Sequence, residues 1–146
     1  MTEFVPELKE NRAVGRRAAL DRGTLGELLL ALSTAAGTYI RLSRCFQSWE
    51  AAALQRLGRE ARAQASCVSG IYALVTGDSP AGLASVPETG QVGVTLRKCY
   101  VRAMRILVAC EAHSTDPEYG PVFARLAARQ QEHCRTILEI IGHQGR

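Results

Sequence analysis

Four segments with apolar residues at the spacing of an α-helix are the feature that most constrains the fold of this 146-residue chain. Within each segment apolar side chains recur every three or four positions, which places them on one face of a helix. Aromatic residues make up only 5% of the chain while Ala, Leu and Arg abound, and this composition favours helices over a β-sandwich. The pattern predicts helices over residues 24–45, 48–77, 95–114 and from 117 or 121 to 142.

Capping signals mark the ends of the first two segments. Thr24 is a favourable N-cap residue, and Glu27 three residues later completes a capping box for the first helix. Ser48 is the expected N-cap of the second helix. Gly77 is expected to end that helix, because glycine adopts the left-handed conformation common after a last helical turn.

The links between the predicted helices indicate how they are arranged. Only a few residues separate the first two helices, so these should be antiparallel neighbours. Residues 78–93 form a connector rich in Pro, Gly and Ser that is long enough to run along a bundle. The sequence therefore predicts an all-α fold, a ferritin-like up-down-down-up four-helix bundle with a long crossover between helices two and three. We expect an N-terminal arm over residues 1–23, the bundle over 24–142 and a C-terminal tail over 143–146.

The charge pattern does not favour two classes of partner. The formal net charge is +4, but the Arg residues are spread along every predicted helix instead of forming the basic block of a nucleic-acid-binding surface. The longest uncharged run, residues 63–77, is shorter than the roughly 18 to 20 apolar residues that cross a bilayer. The N-terminal residues are charged and do not resemble a signal peptide. We expect a cytoplasmic protein that does not enter a membrane.

The cysteines show no metal-binding or disulfide pattern. They are Cys45, Cys67, Cys99, Cys110 and Cys134. None of them forms a C-x-x-C pair, and their number is odd. In a reducing cytosol we expect them to be buried free thiols.

Two stretches of the sequence resemble a known family. IYALVTGDSP, at the end of the second predicted helix, and DPEYGPVFARLAARQQEHCRTILEIIG, which contains the fourth, are similar to rubrerythrin-like, ferritin-like bacterial proteins. The resemblance covers residues 24–142 and is sharpest in these two stretches. It implies a bundle that holds two iron or manganese ions, with a Glu from helices one and three and a Glu-x-x-His from helices two and four.

Most ligand positions that the resemblance implies carry other residues in this chain. They are Leu32 on helix one, Ala61 and Gln64 on helix two, Ala103 (or Tyr100) on helix three, and Gln130 and His133 on helix four. Only His133 matches the family pattern. Residues 28–49 and 90–109 contain no Asp or Glu, so helices one and three lack the carboxylates that hard metal ions need. We therefore expect no bound metal, no cofactor and no catalytic residue.

The remaining polar side chains have a structural interpretation. Gln64, Gln130 and His133 are expected to form a neutral, hydrogen-bonded cluster between helices two and four. Glu60 is adjacent to Ala61 in sequence, and we expect it to point about 100° away from the former ligand face.

Three functions are compatible with these observations. The first is a metal-free, non-catalytic association module that forms a homodimer or binds a protein partner. The second is a redox or metal-binding protein with a non-standard site around His133 and the cysteines. The third is a small apolar-ligand binder that uses the centre vacated at Leu32, Ala61 and Ala103.

Overall fold

The computed structural model describes residues 20–80 and 85–144 of the chain. Within these ranges it contains four helices and no β-strand, which confirms the prediction of a four-helix, all-α structure. The helices are α1 (Arg22–Ser43), α2 (Ser48–Thr76), α3 (Val92–Ala112) and α4 (Gly120–Gln144). Residues 1–19 of the expected N-terminal arm and residues 145–146 of the expected tail lie outside the described ranges.

The start of α1 differs from the prediction. Asp21 is the N-cap residue, and its carboxylate accepts a hydrogen bond from the Thr24 N–H at 2.8 Å. Thr24 is therefore the donor in this cap and not the capping residue, so the predicted Thr24–Glu27 capping box is wrong. The hydrogen bonds from Thr24 also lower the pKa of the Asp21 carboxyl.

Two other helix ends also require correction. Ser48 is the first residue of α2, and the N-cap is Gln47, whose side chain makes no capping hydrogen bond. The predicted Ser48 cap is therefore wrong, whereas Gly77 ends α2 in the left-handed conformation as expected. At the other end of the chain α4 continues to Gln144, so residues 143 and 144 are helical and do not belong to a tail.

Two clusters of buried apolar side chains occupy opposite ends of the structure and show the direction of each helix. The first contains residues from the starts of α1 and α4 and the ends of α2 and α3: Leu25, Leu28, Leu29, Leu32, Val68, Ile71, Tyr72, Ile106, Leu107, Cys110, Phe123, Leu126 and Ala127. The second contains residues from the opposite halves of the same helices: Ala35, Ala36, Tyr39, Leu42, Leu54, Leu57, Ala61, Leu96, Cys99, Ala103, Cys134, Ile137 and Ile140. Helices α1 and α4 thus run in one direction, and α2 and α3 run in the other.

The helices pack as two hairpins. Contact is most extensive between α1 and α2 and between α3 and α4, and it is sparser between α1 and α3 and between α2 and α4. The close approach of α1 and α2 depends on Gly58, since a Cβ atom there would lie 2.6 Å from Ile40 Cδ1. Each of the two sparser contacts leaves a cleft on the surface.

The connector before α3 is fastened to the second half of α1. Pro87 packs on Gly37, where a Cβ atom would lie 2.9 Å from the proline Cγ. The Glu88 N–H donates to Thr38 Oγ1 at 2.9 Å, and Arg41 Nε donates to the Glu88 carbonyl oxygen at 2.7 Å. The Glu88 carboxylate forms an ion pair with Arg102 on α3. Glu88 therefore joins one hairpin to the other.

Replacing Gly120 by Ala should destabilise the fold. A Cβ atom at this position would lie 2.4 Å from the Ser114 carbonyl oxygen, and this contact is with backbone that cannot rotate away. We expect Gly120→Ala to lower the free energy of unfolding by about 2 kcal/mol, the typical cost of overpacking. Chemical denaturation followed by circular dichroism measures the change.

Gly70→Ala is the matched control for this prediction. Gly70 lies inside α2, and a Cβ atom there would meet nothing within 4 Å. Since Ala favours a helix over Gly, this variant should gain about 0.5 to 1 kcal/mol. Equal effects from the two substitutions would contradict a steric role for Gly120.

Candidate functional site

Three of the former ligand positions are part of the apolar core. Leu32, Ala61 and Ala103 are each at most 1% exposed. Leu32 belongs to the first cluster of buried residues, and Ala61 and Ala103 belong to the second. These side chains have no donor atoms for a metal ion, and they fill the middle of the bundle with hydrocarbon.

The structure brings Gln64 and Gln130 together across α2 and α4. Gln130 Nε2 donates to Gln64 Oε1 at 2.6 Å, and both side chains are buried. The Gln64 Nε2 and Gln130 Oε1 atoms have no hydrogen-bond partner among the described residues. The amide pair is neutral, so it costs far less to bury than the carboxylates of a two-metal site would without their metal.

His133 pairs with Glu60 and not with the two glutamines. His133 is 0% exposed, and its Nε2 atom lies 2.9 Å from Glu60 Oε1. An ionised carboxylate only accepts hydrogen bonds, so Nε2 carries the proton and Nδ1 is the bare nitrogen. The Nδ1 atom is buried without a partner in the described part of the chain, and the Tyr39 and His133 rings lie nearly perpendicular with their centroids 6.0 Å apart.

The expectation that Glu60 points away from this region is wrong. Glu60 lies one turn before Gln64 on α2, and Arg129 lies one turn before His133 on α4. Residues four apart share a helix face, and the three rotatable bonds of a glutamate side chain let its carboxylate reach a neighbouring helix. This spacing is the sequence signal for Glu60, and the family pattern does not reveal it because that pattern places the Glu ligand at position 61.

Two guanidinium groups and the His133 imidazole surround the Glu60 carboxylate. Its Oε2 atom lies 3.1 Å from Arg129 Nη1, Arg56 Nη1 approaches the carboxylate at 3.5 Å, and His133 occupies Oε1. Burial raises the pKa of Glu60, but the hydrogen bond and charge of His133 and the two guanidinium groups outweigh it, so the pKa falls below its usual value. Burial lowers the pKa of His133, and Glu60 only partly opposes that effect. At neutral pH the pair is a carboxylate and a neutral imidazole.

The cysteines divide into two groups. All five are free, and Cys45 and Cys67 are exposed, so the expectation that every thiol is buried is wrong for these two. Burial raises the pKa of Cys99 and of Cys110 to about 12, and it also raises the pKa of Cys134. The three interior thiols are therefore protonated at neutral pH, and a protonated thiol is a poor nucleophile and a poor metal ligand.

Two surface clefts lie at the sparser helix contacts. The α2/α4 cleft, of about 300 Å³, is lined by Glu60, Ala63, Gln64, Cys67, Arg125, Leu126 and Arg129. The α1/α3 cleft, of about 590 Å³, is lined by Ala31, Glu88, Val94, Arg97, Lys98, Val101, Arg102 and Arg105. Neither of them is lined by Leu32, Ala61 or Ala103, where the sequence suggested space for a ligand.

The comparisons with known proteins add no relative. No family model matches the chain, and neither the curated proteins nor the solved structures contain a significant match. Among the described residues no group of three or more His, Cys, Asp and Glu side chains is placed to hold a metal ion. None of the described helices is both long enough and apolar enough to cross a membrane.

Acid should destabilise the protein through His133. The folded pKa of His133 lies below its ordinary value of 6.5, so the unfolded chain binds more protons and stability falls as the pH drops below about 6.5. Glu60 adds a second loss at lower pH, because its folded pKa also lies below its ordinary value of 4.5. Urea unfolding between pH 7.5 and roughly 5 should show the first loss.

His133→Gln should flatten this first part of the pH profile, because glutamine can donate to Glu60 without titrating. His143→Gln is the matched control, since the His143 side chain is 46% exposed. A profile that is unchanged in His133→Gln would show that the acid sensitivity has another origin.

Proposed function

We propose that the protein is a ferritin-like bundle without a two-metal centre, and that it works as a cytoplasmic association module. Its partner would be a protein segment that forms an apolar-faced helix with acidic flanks and docks on the outer face of α3. The observation that carries the proposal is a row of exposed valines on α3 that alternates with basic side chains. No catalytic step is assigned to the protein.

The directions of the helices support the ferritin-like part of this proposal. The two buried clusters place the starts of α1 and α4 at one end and the starts of α2 and α3 at the other. A connector that runs from the end of α2 to the start of α3 must then pass along the bundle, as in ferritin-like folds with one long crossover. All five cysteines are free, which supports a reducing compartment.

The side chains in the middle of the bundle support a metal-free centre. A pair of hard metal ions needs several oxygen ligands from facing helices. Here the facing positions on α1, α2 and α3 are occupied by Leu32, Ala61 and Ala103. His133, the one ligand that the family pattern retains, already donates to Glu60.

The outer face of α3 has the features of a docking surface. Val94, Val101 and Val108 are 51%, 46% and 60% exposed, and they lie seven residues apart, which is two helical turns. A spacing of seven is that of one of the two apolar positions of the heptad that packs against another helix in a coiled coil. The α1/α3 cleft lies beside the first two valines and offers a concave surface to a partner.

Charge selects the partner. Arg97, Lys98 and Arg105 flank the valines, and each of them is exposed. If a second copy packed on the row about Val101, Arg97 of one copy would meet a basic residue of the other in either helix direction. An acidic helix would instead pair with these cations while its apolar residues cover the valines, so we favour a protein partner over a homodimer.

The other two functions gain less support. The interior cysteines have raised pKa values, which does not favour redox or metal chemistry around His133. The clefts lie at the surface, away from the vacated positions, and this does not favour a ligand in the bundle centre.

Metal loading tests the metal-free part of the proposal. After purified protein is incubated with Fe(II) or Mn(II) and then desalted, elemental mass spectrometry should find far less than one ion per chain. A value near two ions per chain would contradict it. His133→Ala identifies the cause of any intermediate value, because metal held by the imidazole would be lost in this variant.

Peptide binding tests the docking surface. The probe is a synthetic helix with Leu in a heptad pattern and Glu on both sides of the Leu row, and its counterpart has Lys in place of Glu. Fluorescence anisotropy should show that the acidic peptide binds and the basic one does not. The affinity of the acidic peptide should fall as the salt concentration rises. Val101→Asp should weaken its binding by about tenfold or more, since it places a charge at the centre of the interface.

Leu74→Asp is the matched control for Val101→Asp. Leu74 is 73% exposed and lies on α2, the helix diagonal to α3. The proposal fails if the basic peptide binds equally well or if both Asp variants have the same effect. A dimer detected by light scattering that Val101→Asp dissolves would assign the face to a second copy and contradict the acidic partner.

A further inference from the structure

The α2/α4 cleft combines an exposed thiol with two guanidinium groups. Cys67 is exposed and lines the cleft from α2, and Arg125 and Arg129 line it from α4. Gln64, also on the lining, is only 6% exposed and has an Nε2 atom with no partner among the described residues. The volume of about 300 Å³ lies at the lower limit of small-molecule sites, which run from about 300 to 1,000 Å³.

The charges on the lining favour an anion. Arg129 is paired with Glu60 at 3.1 Å, so those two charges largely cancel. Arg125 is exposed and forms no ion pair within the described residues, and its positive charge is therefore the one left unbalanced on the lining. Positive charge at the mouth of a cleft raises the local concentration of anionic reagents.

Cys67 differs from the other four cysteines because it is both exposed and part of the lining of this cleft. Cys99, Cys110 and Cys134 are buried, so reagents in solution do not reach them. Cys45 is exposed, but it follows the end of α1 and lines neither cleft, and its thiol donates to the Arg41 carbonyl oxygen, with Sγ 4.0 Å from that oxygen. Cys45 is thus a natural reference for an exposed thiol outside the cleft.

We propose that Cys67 is a modification site that forms a mixed disulfide with small anionic disulfides of the oxidised-glutathione class. The Cys67 thiolate attacks one sulfur of the disulfide, whose S–S bond breaks as a new bond to Cys67 Sγ forms. The departing thiolate takes up the proton that Cys67 released, and the disulfide is the only oxidant required. Arg125 attracts the carboxylates of the reagent, and Gln64 forms part of the wall on which the reagent lies.

The mixed disulfide should persist, because no ready thiol resolves it. Burial, then the charges of Cys67 and Glu111, raise the pKa of Cys110 to about 12, so this nearby interior cysteine is protonated and attacks slowly. Once attached, the group would fill the cleft beside Glu60 and Arg129. The modification leaves the α3 face untouched and is independent of the proposed docking function.

Two single-substitution variants test the site. Cys45→Ser leaves Cys67 as the exposed thiol, and Cys67→Ser leaves Cys45. We expect oxidised glutathione at low ionic strength to modify Cys67 at least about threefold faster than Cys45, a modest steering effect for one net charge. Mass spectrometry of the intact protein and of its peptides gives the rate and the position. Equal or faster modification of Cys45 would overturn the proposal.

Charge reversal separates electrostatics from simple exposure. In the Cys45→Ser background, Arg125→Glu should slow modification by anionic oxidised glutathione and accelerate modification by cationic cystamine. Arg125→Gln should give an intermediate ratio of the two rates, which guards against a change caused by altered folding. Arg44→Glu is the control, because Arg44 is exposed beyond the far end of α1. A ratio that Arg125→Glu leaves unchanged would overturn the role of the cleft.

Discussion

The hydrogen bond from the neutral imidazole of His133 to the Glu60 carboxylate is the interaction on which the middle of the bundle depends. Together with the Gln130–Gln64 hydrogen bond and the Arg129–Glu60 ion pair, it holds α2 to α4, whose backbones make few close contacts. A partly buried carboxylate is stabilised by charged partners, and Glu60 has one on its own helix, Arg56, and one on α4, Arg129. Because His133 donates without carrying a charge, it stabilises the Glu60 carboxylate without placing a second charge in the interior.

The number of helices can be predicted from the sequence, because it depends on the spacing of apolar residues along the chain. The apolar periodicity indicates four helices, and the length of the link before α3 indicates a crossover. The helix ends were less predictable, since several polar residues compete to cap them: Asp21, which lies within the presumed arm, caps α1 in place of Thr24. Local hydrogen-bond geometry decides between such neighbours, and periodicity carries no information about it.

The candidate site shows the same limit at the level of single side chains. The pairing of Gln64 with Gln130 agrees with their positions on facing helices. A pattern of ligand positions does not reveal Glu60, because such a pattern describes only where Cα–Cβ bonds point. The long glutamate side chain bends away from its Cα–Cβ direction and reaches His133 and Arg129 on α4. Exposure of Cys67 was missed for a related reason, since its neighbour Val68 points into the core and cysteine fits either environment.

The connector that precedes α3 has a consequence for recognition. Glu88 reaches the α1/α3 cleft from within the chain, and its carboxylate neutralises Arg102 while its backbone is bound to Thr38 and Arg41. Glu88 thus takes the place that an acidic ligand could fill. It is paired with Arg102, which is less exposed than the other cations of the cleft. On the proposed docking surface, an acidic partner would therefore pair with the outer cations Arg97, Lys98 and Arg105, which take no part in the junction of the two hairpins.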